Sequence, residues 1–177
     1  MRVENRLADK DKQFFMREAI KEALKAKEKK EVPIGAVVVY QGEIIGRGHN
    51  IRETSQDATT HAELLAIKEA CQYKGNWRLE ECQIFVTLEP CPMCSGGIIL
   101  ARLESVYFGA MDPKAGTAGS LMNLLTDERF NHQPYIESGI LEEECGELLR
   151  TFFKELRERN KQKKRDKQAL IEKEINQ

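Results

Sequence analysis

The stretch over residues 87–97, TLEPCPMCSGG, places Cys91 and Cys94 three residues apart, with Pro90 and Pro92 flanking Cys91 and a glycine pair after Cys94. Thiols at this spacing can cycle as a redox pair, form half of a structural metal clip, or form half of a catalytic metal site. The spacing does not choose among them; other donors must. His61 opens a second segment, HAELLAIKEACQ, with Glu63 two residues on. Pro92 suits the first turn of a helix, where its missing N–H costs nothing. Cys91 and Cys94 then lie on one helix face, at an N-terminus whose unpaired N–H groups favour thiolates. A neutral imidazole from His61 completes three protein ligands. That number suits a catalytic zinc, which keeps one position for water, whereas structural zinc takes four. One Zn2+ per subunit is the expected cofactor, and Glu63 the expected proton shuttle. Residues i and i+2 of a regular helix diverge, so His61 and Glu63 share a site only if His61 sits at the cap, before helical geometry begins.

Each residue alone has a plainer use. His61 could be a helix cap, Glu63 a first-turn acid favoured by the helix dipole, and CPMC a dithiol pair after a strand, close to the thioredoxin arrangement. A non-catalytic zinc module also uses these residue types. Taken together, His61, Glu63, Pro90, Cys91 and Cys94 complete the H-x-E and P-C-x-x-C signature of zinc nucleobase deaminases.

The elements that must position these groups follow from periodicity. Residues 11–28 repeat apolar pairs every four positions and read as an amphipathic helix. Residues 32–40, VPIGAVVVY, and 43–50, EIIGRGHN, read as a hairpin about the turn Gln41-Gly42. Residues 51–60 are polar and loop-like, and offer Thr59 and Thr60 as caps for the helix that follows. CQIFVTL is a buried strand, residues 92–101 a helix, and ESVYFGA a strand. A glycine-punctuated loop follows, then a short helix around residues 121–125, a weak strand PYIES, and a long helix from Leu141 that loses its apolar stripe after Leu156. The expected fold is α/β, with a single mixed sheet of about five strands and helices on both faces.

The 177 residues suit one domain. The expected organisation is a flexible terminus over residues 1–10, a catalytic domain over 11–160 and a charged helical tail over 161–177. No apolar run reaches membrane-span length and the start has no signal-peptide core, so a cytoplasmic protein is expected. Five cysteines in a reducing compartment argue against a disulfide framework; Cys71, Cys82 and Cys145 read as packing or surface residues. Net charge is -1, but residues 154–177 carry nine Lys or Arg against five Asp or Glu. That basic end is a handle for a polyanion or a solvated helix face.

The sequence resembles the bacterial tRNA-specific adenosine deaminases from about Phe14 to Lys161. The likeness is carried by EVPIGAVVV, GHN, DATTHAE, VTLEPCPMCSGG, VYFGAMDPKAGTAGS, Asn131-His132 and GILEEECGELLRTFFKELR. The resemblance implies a cytidine deaminase-like α/β/α fold and hydrolytic conversion of adenosine to inosine at the wobble position of a tRNA anticodon. It also implies a homodimer that binds the anticodon stem-loop. It would give Asn50, the backbone near Ala62, Asp112, Lys114 and Phe153 contacts with substrate. Met111 stands where members of the family vary. The rival on the same fold is a deaminase of a free nucleobase or nucleoside, of guanine or cytosine type.

Overall fold

Strand residues of this chain alternate between two apolar environments, which fixes a three-layer architecture. The structure, a computed structural model, describes residues 7–175, with side chains through residue 172. The order is α1 (Asp9–Glu28), β1 (Gly35–Tyr40), β2 (Glu43–His49), α2 (Arg52–Ser55), α3 (Ala62–Lys74), β3 (Cys82–Leu88), α4 (Pro92–Leu100), β4 (Ser105–Ala110), β5 (Tyr135–Ser138) and α5 (Glu142–Ile175). The five strands form one mixed sheet in the order β2-β1-β3-β4-β5. β1 is antiparallel to β2 and β3, and β3–β4 and β4–β5 are parallel. Ala36, Val38, Ile84, Val86, Val106 and Phe108 face a core shared with α3 and α4. Val37, Val39, Phe85 and Tyr107 face the other core, with Phe15, Met16 and Ala19 of α1 and Cys145 of α5. Strands buried on both faces read as continuous apolar runs.

In the second core the Phe85 and Tyr107 rings stack at 4.6 Å, and Phe15 packs on Phe85 at 5.3 Å. Lys12, almost fully buried, donates to the Glu137 carboxylate at 2.9 Å and ties α1 to the edge strand β5. The hairpin turn has Gln41 at φ 50° and Gly42 at φ 81°, the doubly left-handed pair that matches strand twist. A bulge follows, where Val38 pairs with Gly46 and Val39 with Ile44, leaving Ile45 the extra residue.

Small residues seat α3 on the hairpin. Ala62, Ala66 and Ala70 are fully buried at four-residue spacing, and Gly46 and Gly48 lie beneath them. A Cβ on Gly48 would stand 2.1 Å from the Ala62 carbonyl oxygen, and one on Gly46 2.2 Å from that of Ala66. Because Ala62 is the first residue of α3, this contact sets the height of the helix start.

Three local expectations are corrected. Residues 51–60 are not all loop: α2 occupies four of them, and the buried Glu31 carboxylate accepts the Glu53 and Thr54 N–H groups at its start. Thr59 and Thr60 do not cap α3; the Thr59 hydroxyl donates to the Asp57 carboxylate and that of Thr60 to the Asp57 carbonyl, and His61 is the cap. No helix forms around residues 121–125. Their backbone groups are used to close the preceding loop, with Leu124 N–H donating to the Thr117 carbonyl and an isolated bridge between Ala118 and Asn123. Of the terminus expected to be flexible over residues 1–10, residues 1–6 lie outside the described residues, and α1 begins at Asp9. Among the described residues no helix is long and apolar enough to cross a membrane.

Gly48→Ala should destabilise the protein by about 2–3 kcal/mol through overpacking at the α3 start. Urea unfolding should show the loss, and a neutral effect would contradict the close backbone approach.

Candidate active site

Two helix starts meet at the carboxyl end of β3, where antiparallel pairing with β1 gives way to parallel pairing with β4. Ligand sites in α/β sheets gather at such ends. His61 is the N-cap of α3, with φ −78° and ψ 152°, so its side chain is free of the helical direction. This meets the requirement for His61 and Glu63 to share a site. Cys91 is the N-cap of α4, also extended at φ −76° and ψ 173°; Pro92 fills the first turn and Cys94 lies inside it.

The Cys91 and Cys94 sulfurs each lie 3.6 Å from His61 Nδ1. The three donor atoms fall within 4.8 Å of one another, and among the described residues no fourth His, Cys, Asp or Glu joins them. A tetrahedral zinc with Zn–S of about 2.3 Å and Zn–N of about 2.0–2.1 Å has S···N edges of about 3.6 Å. The donor set therefore fits zinc in type, number and spacing, with one corner left over. A dithiol pair alone has no use for the imidazole between its sulfurs.

Without the ion's charge these groups contend for protons. A hydrogen bond from Cys94, then one from His61, brings the Cys91 pKa down to about 4, although burial opposes it. The hydrogen bond with Cys91 first, and burial second, push Cys94 far up. Contact with Cys91 raises His61. A divalent cation replaces such shared protons, since its ligands must be thiolate and neutral imidazole. Glu63 is 4% exposed, and burial pushes its pKa up to about 7. A carboxyl poised there can both take and give a proton near neutrality.

The cluster lies in the wall of a cavity of about 1050 Å³. Asn50 lines it, almost fully buried, with its carboxamide donating to the Val32 carbonyl and accepting from Arg52 N–H. Two of its possible bonds are used, so it has capacity for a ligand. Ala62 packs its methyl into the core, and only its backbone N–H, in the first turn, can turn toward the site. Asp112 and Lys114 also line the cavity. The Asp112 carboxylate accepts the Lys114 and Ala115 N–H groups, which also makes it a turn former. The long helix supplies Phe153, 40% exposed at the rim, and buries Phe152 at 3%.

Sequence reasoning missed Glu89. It immediately precedes Pro90-Cys91, is 1% exposed, and accepts N–H groups of Asp112, Ala118 and Ser120, each at 2.9 Å, and the Ser120 hydroxyl. One carboxylate thus binds the cavity wall to the segment that leads from β3 into the cysteines. Burial raises its pKa, but the bonds from Ser120, Asp112 and Ala118 outweigh burial and hold it below the usual carboxylate range. The available signal was an acid ending an apolar strand next to a ligand motif. The remaining cysteines stay apart from the site. Burial pushes Cys82 up to about 11 and Cys145 up to about 12, and Cys71 donates to the Trp77 carbonyl. His49 pairs with Glu22, and His132 with the Leu103 carbonyl.

The profile of the cytidine and deoxycytidylate deaminase zinc-binding region matches residues 9–110. The tRNA-specific adenosine deaminase of Bacillus subtilis (strain 168) is 61% identical over 149 residues, covering 84% of this chain and 92% of that protein. A structure from a study of A-to-I editing by tRNA:A34 deaminases at the wobble position of transfer RNA superposes with a TM-score of 0.74 at 42% identity, over 77% of this chain and 99% of the other. The guanine deaminase of Bacillus subtilis is more distant, with a TM-score of 0.56 at 38% identity, over 61% of this chain and 69% of the other.

Cys91→Ala should reduce zinc from one ion per chain to a small fraction of that, read by elemental analysis, whereas Glu63→Gln should retain it. Glu89→Gln sets an amide NH2 against N–H donors and should cost about 2–3 kcal/mol of stability. Hydrogen exchange should show the lost protection concentrated in residues 112–120, with zinc still bound.

Proposed function

The chain belongs to the cytidine and deoxycytidylate deaminase zinc-binding family, among its tRNA-specific adenosine deaminases, and we infer that it converts adenosine to inosine at the wobble position of a tRNA anticodon. The observation that carries this reading is the three-donor cluster with buried Glu63 beside it, in a cavity large enough for a nucleotide and rimmed by Lys114, Lys154 and Arg157.

The reaction adds the oxygen of water to C6 of adenine and expels the 6-amino group as ammonia. Zinc held by His61, Cys91 and Cys94, when bound, supplies Lewis acidity that lowers the pKa of water to about 7. Glu63 would take one proton from the attacking water and give it to the ring nitrogen, then take the second from the hydroxyl now on C6 and give it to the amine, which leaves as ammonia. Its elevated pKa matches that alternation. Asn50 holds the nucleoside through the free part of its carboxamide, and the Ala62 N–H donates to the base. Asp112 and Lys114 line the path of the neighbouring nucleotides. Phe153 offers a ring on which a splayed base stacks.

A free nucleobase needs the cluster and Asn50 but not the cationic rim, and the rim favours a substrate with phosphates. The chain acts as a homodimer in the cytoplasm in this reading. Leu100, Leu121 and Met122, 73%, 56% and 54% exposed, supply apolar surface for a second copy to cover.

The test is inosine formation on an anticodon stem-loop compared with free adenosine, cytidine and guanine. Turnover of the hairpin alone is expected; turnover of a free compound and none of the hairpin would remove the tRNA substrate. Glu63→Ala should fold and keep zinc, yet lose activity by about 10²-fold or more. Unchanged turnover in that variant would exclude the shuttle role.

A further inference from the structure

The helix α5 does not end where the cavity ends. It packs Cys145 and Phe152 into the protein and presents Leu149, Arg150, Phe153, Lys154 and Arg157 to the cavity. From there it runs on as exposed helix through residue 172, with no further core contact. Its charges are mixed, but one stripe between residues 150 and 164 is cationic only. With about 100° between successive residues, Arg150, Lys154, Arg157, Lys161 and Lys164 fall on one stripe, the one that faces the cavity where the helix crosses it. Glu155 and Asp166 fall on the far side, with Arg159 and Lys163, and Glu158 lies on the flank. Glu155 is turned toward Lys27 of α1, and Asp166 accepts from Gln162. Among the described residues no carboxylate lies within ion-pair distance of Arg157, Lys161 or Lys164, whereas Arg150 is paired with Glu143 and Glu147.

We propose that the exposed length of α5 is an RNA-binding arm, in which Lys161 and Lys164 contact stem phosphates flanking the loop whose base enters the cavity. The proposal rests on the tRNA reading above and adds where the stem lies. At about 1.5 Å per residue the stripe extends about 16 Å from Phe153 to Lys164. A loop base in the cavity and its stem along the arm therefore follow one line of positive charge. Between residues 150 and 164 that line holds cations and no acid, and it continues the cationic side chains that α5 presents to the cavity. Phosphate contacts of this kind position the nucleic acid without reading its sequence.

The experiment compares two double variants that remove equal charge from different faces: K161Q/K164Q on the stripe and R159Q/K163Q off it. Binding is read by fluorescence anisotropy and turnover by inosine formation, on anticodon hairpins with a full or a truncated stem. For K161Q/K164Q with the full stem, affinity and kcat/KM should fall about 10-fold at moderate salt, and kcat should hold. The slope of log affinity against log salt should shrink by about 2. R159Q/K163Q should change each of these much less, and with the truncated stem K161Q/K164Q should match wild type. Equal effects of the two double variants, no effect of K161Q/K164Q, or an effect that persists on the truncated stem overturns the arm. Its failure is separable from that of the function: wild-type protein that forms inosine while the variants behave alike refutes the arm alone. Wild-type protein that forms none on any hairpin refutes the tRNA reading and the arm with it.

Discussion

Everything at the site depends on bringing a nitrogen and two sulfurs from distant parts of the chain to 3.6 Å. Neither helix could do this from its interior, where side-chain direction is tied to the helical screw. Placing His61 and Cys91 at caps frees both from it. The caps are useful only if the helices cannot slide. On one side the Ala62–Ala66–Ala70 stripe rests directly on Gly46 and Gly48 of β2, and backbone contact leaves no adjustable side chain between. On the other, Pro92 starts α4 immediately after β3, so the sulfurs inherit the position of a central strand.

The second constraint is polar. Three acids lie at 4% exposure or less, Glu63 and Glu89 in the cavity wall and Glu31 next in sequence to Val32 of that wall, and they solve burial differently. Glu31 and Glu89 are surrounded by N–H donors and stay ionised, holding α2 and the loop after β4 in place. At Glu63 burial outweighs the bonds from its own N–H and from Cys94 and raises its affinity for a proton. The same side chain thus serves as a staple or as a proton carrier, according to whether its hydrogen bonds or its burial dominate.

Much of this was legible in the sequence because it rests on local pattern. The alternation of strands and helices, the bounds of β3, the need for His61 to be a cap, and the three donors are short-range signals reinforced by residue chemistry. What escaped depends on contacts distant in sequence. Thr59 and Thr60 have good capping chemistry, yet Asp57 captures them in a turn of their own. Leu121, Leu124 and Leu125 have helical spacing, but the demands of closing the loop on Thr117 and Glu89 override it. Glu89 bonds to residues 23 to 31 positions away, and no window of local sequence displays that. Cavity lining was legible only in part: Phe152 and Phe153 are adjacent on one helix, and which one is buried is set by packing that local sequence does not display.

The cavity draws its two sides from different stretches of chain. The donors and Glu63 all precede Ala110, inside the span that the family profile matches, whereas Met111 to Ala115 and the α5 side chains come after it. The hydrolytic groups and Asn50 thus lie in the earlier stretch, and the later one adds a wall joined to it by the Glu89 staple and by the Thr117 N–H bond to the Pro90 carbonyl. A lineage could exchange the later segment for another and acquire a new amine to remove, with the hydrolytic half inherited intact.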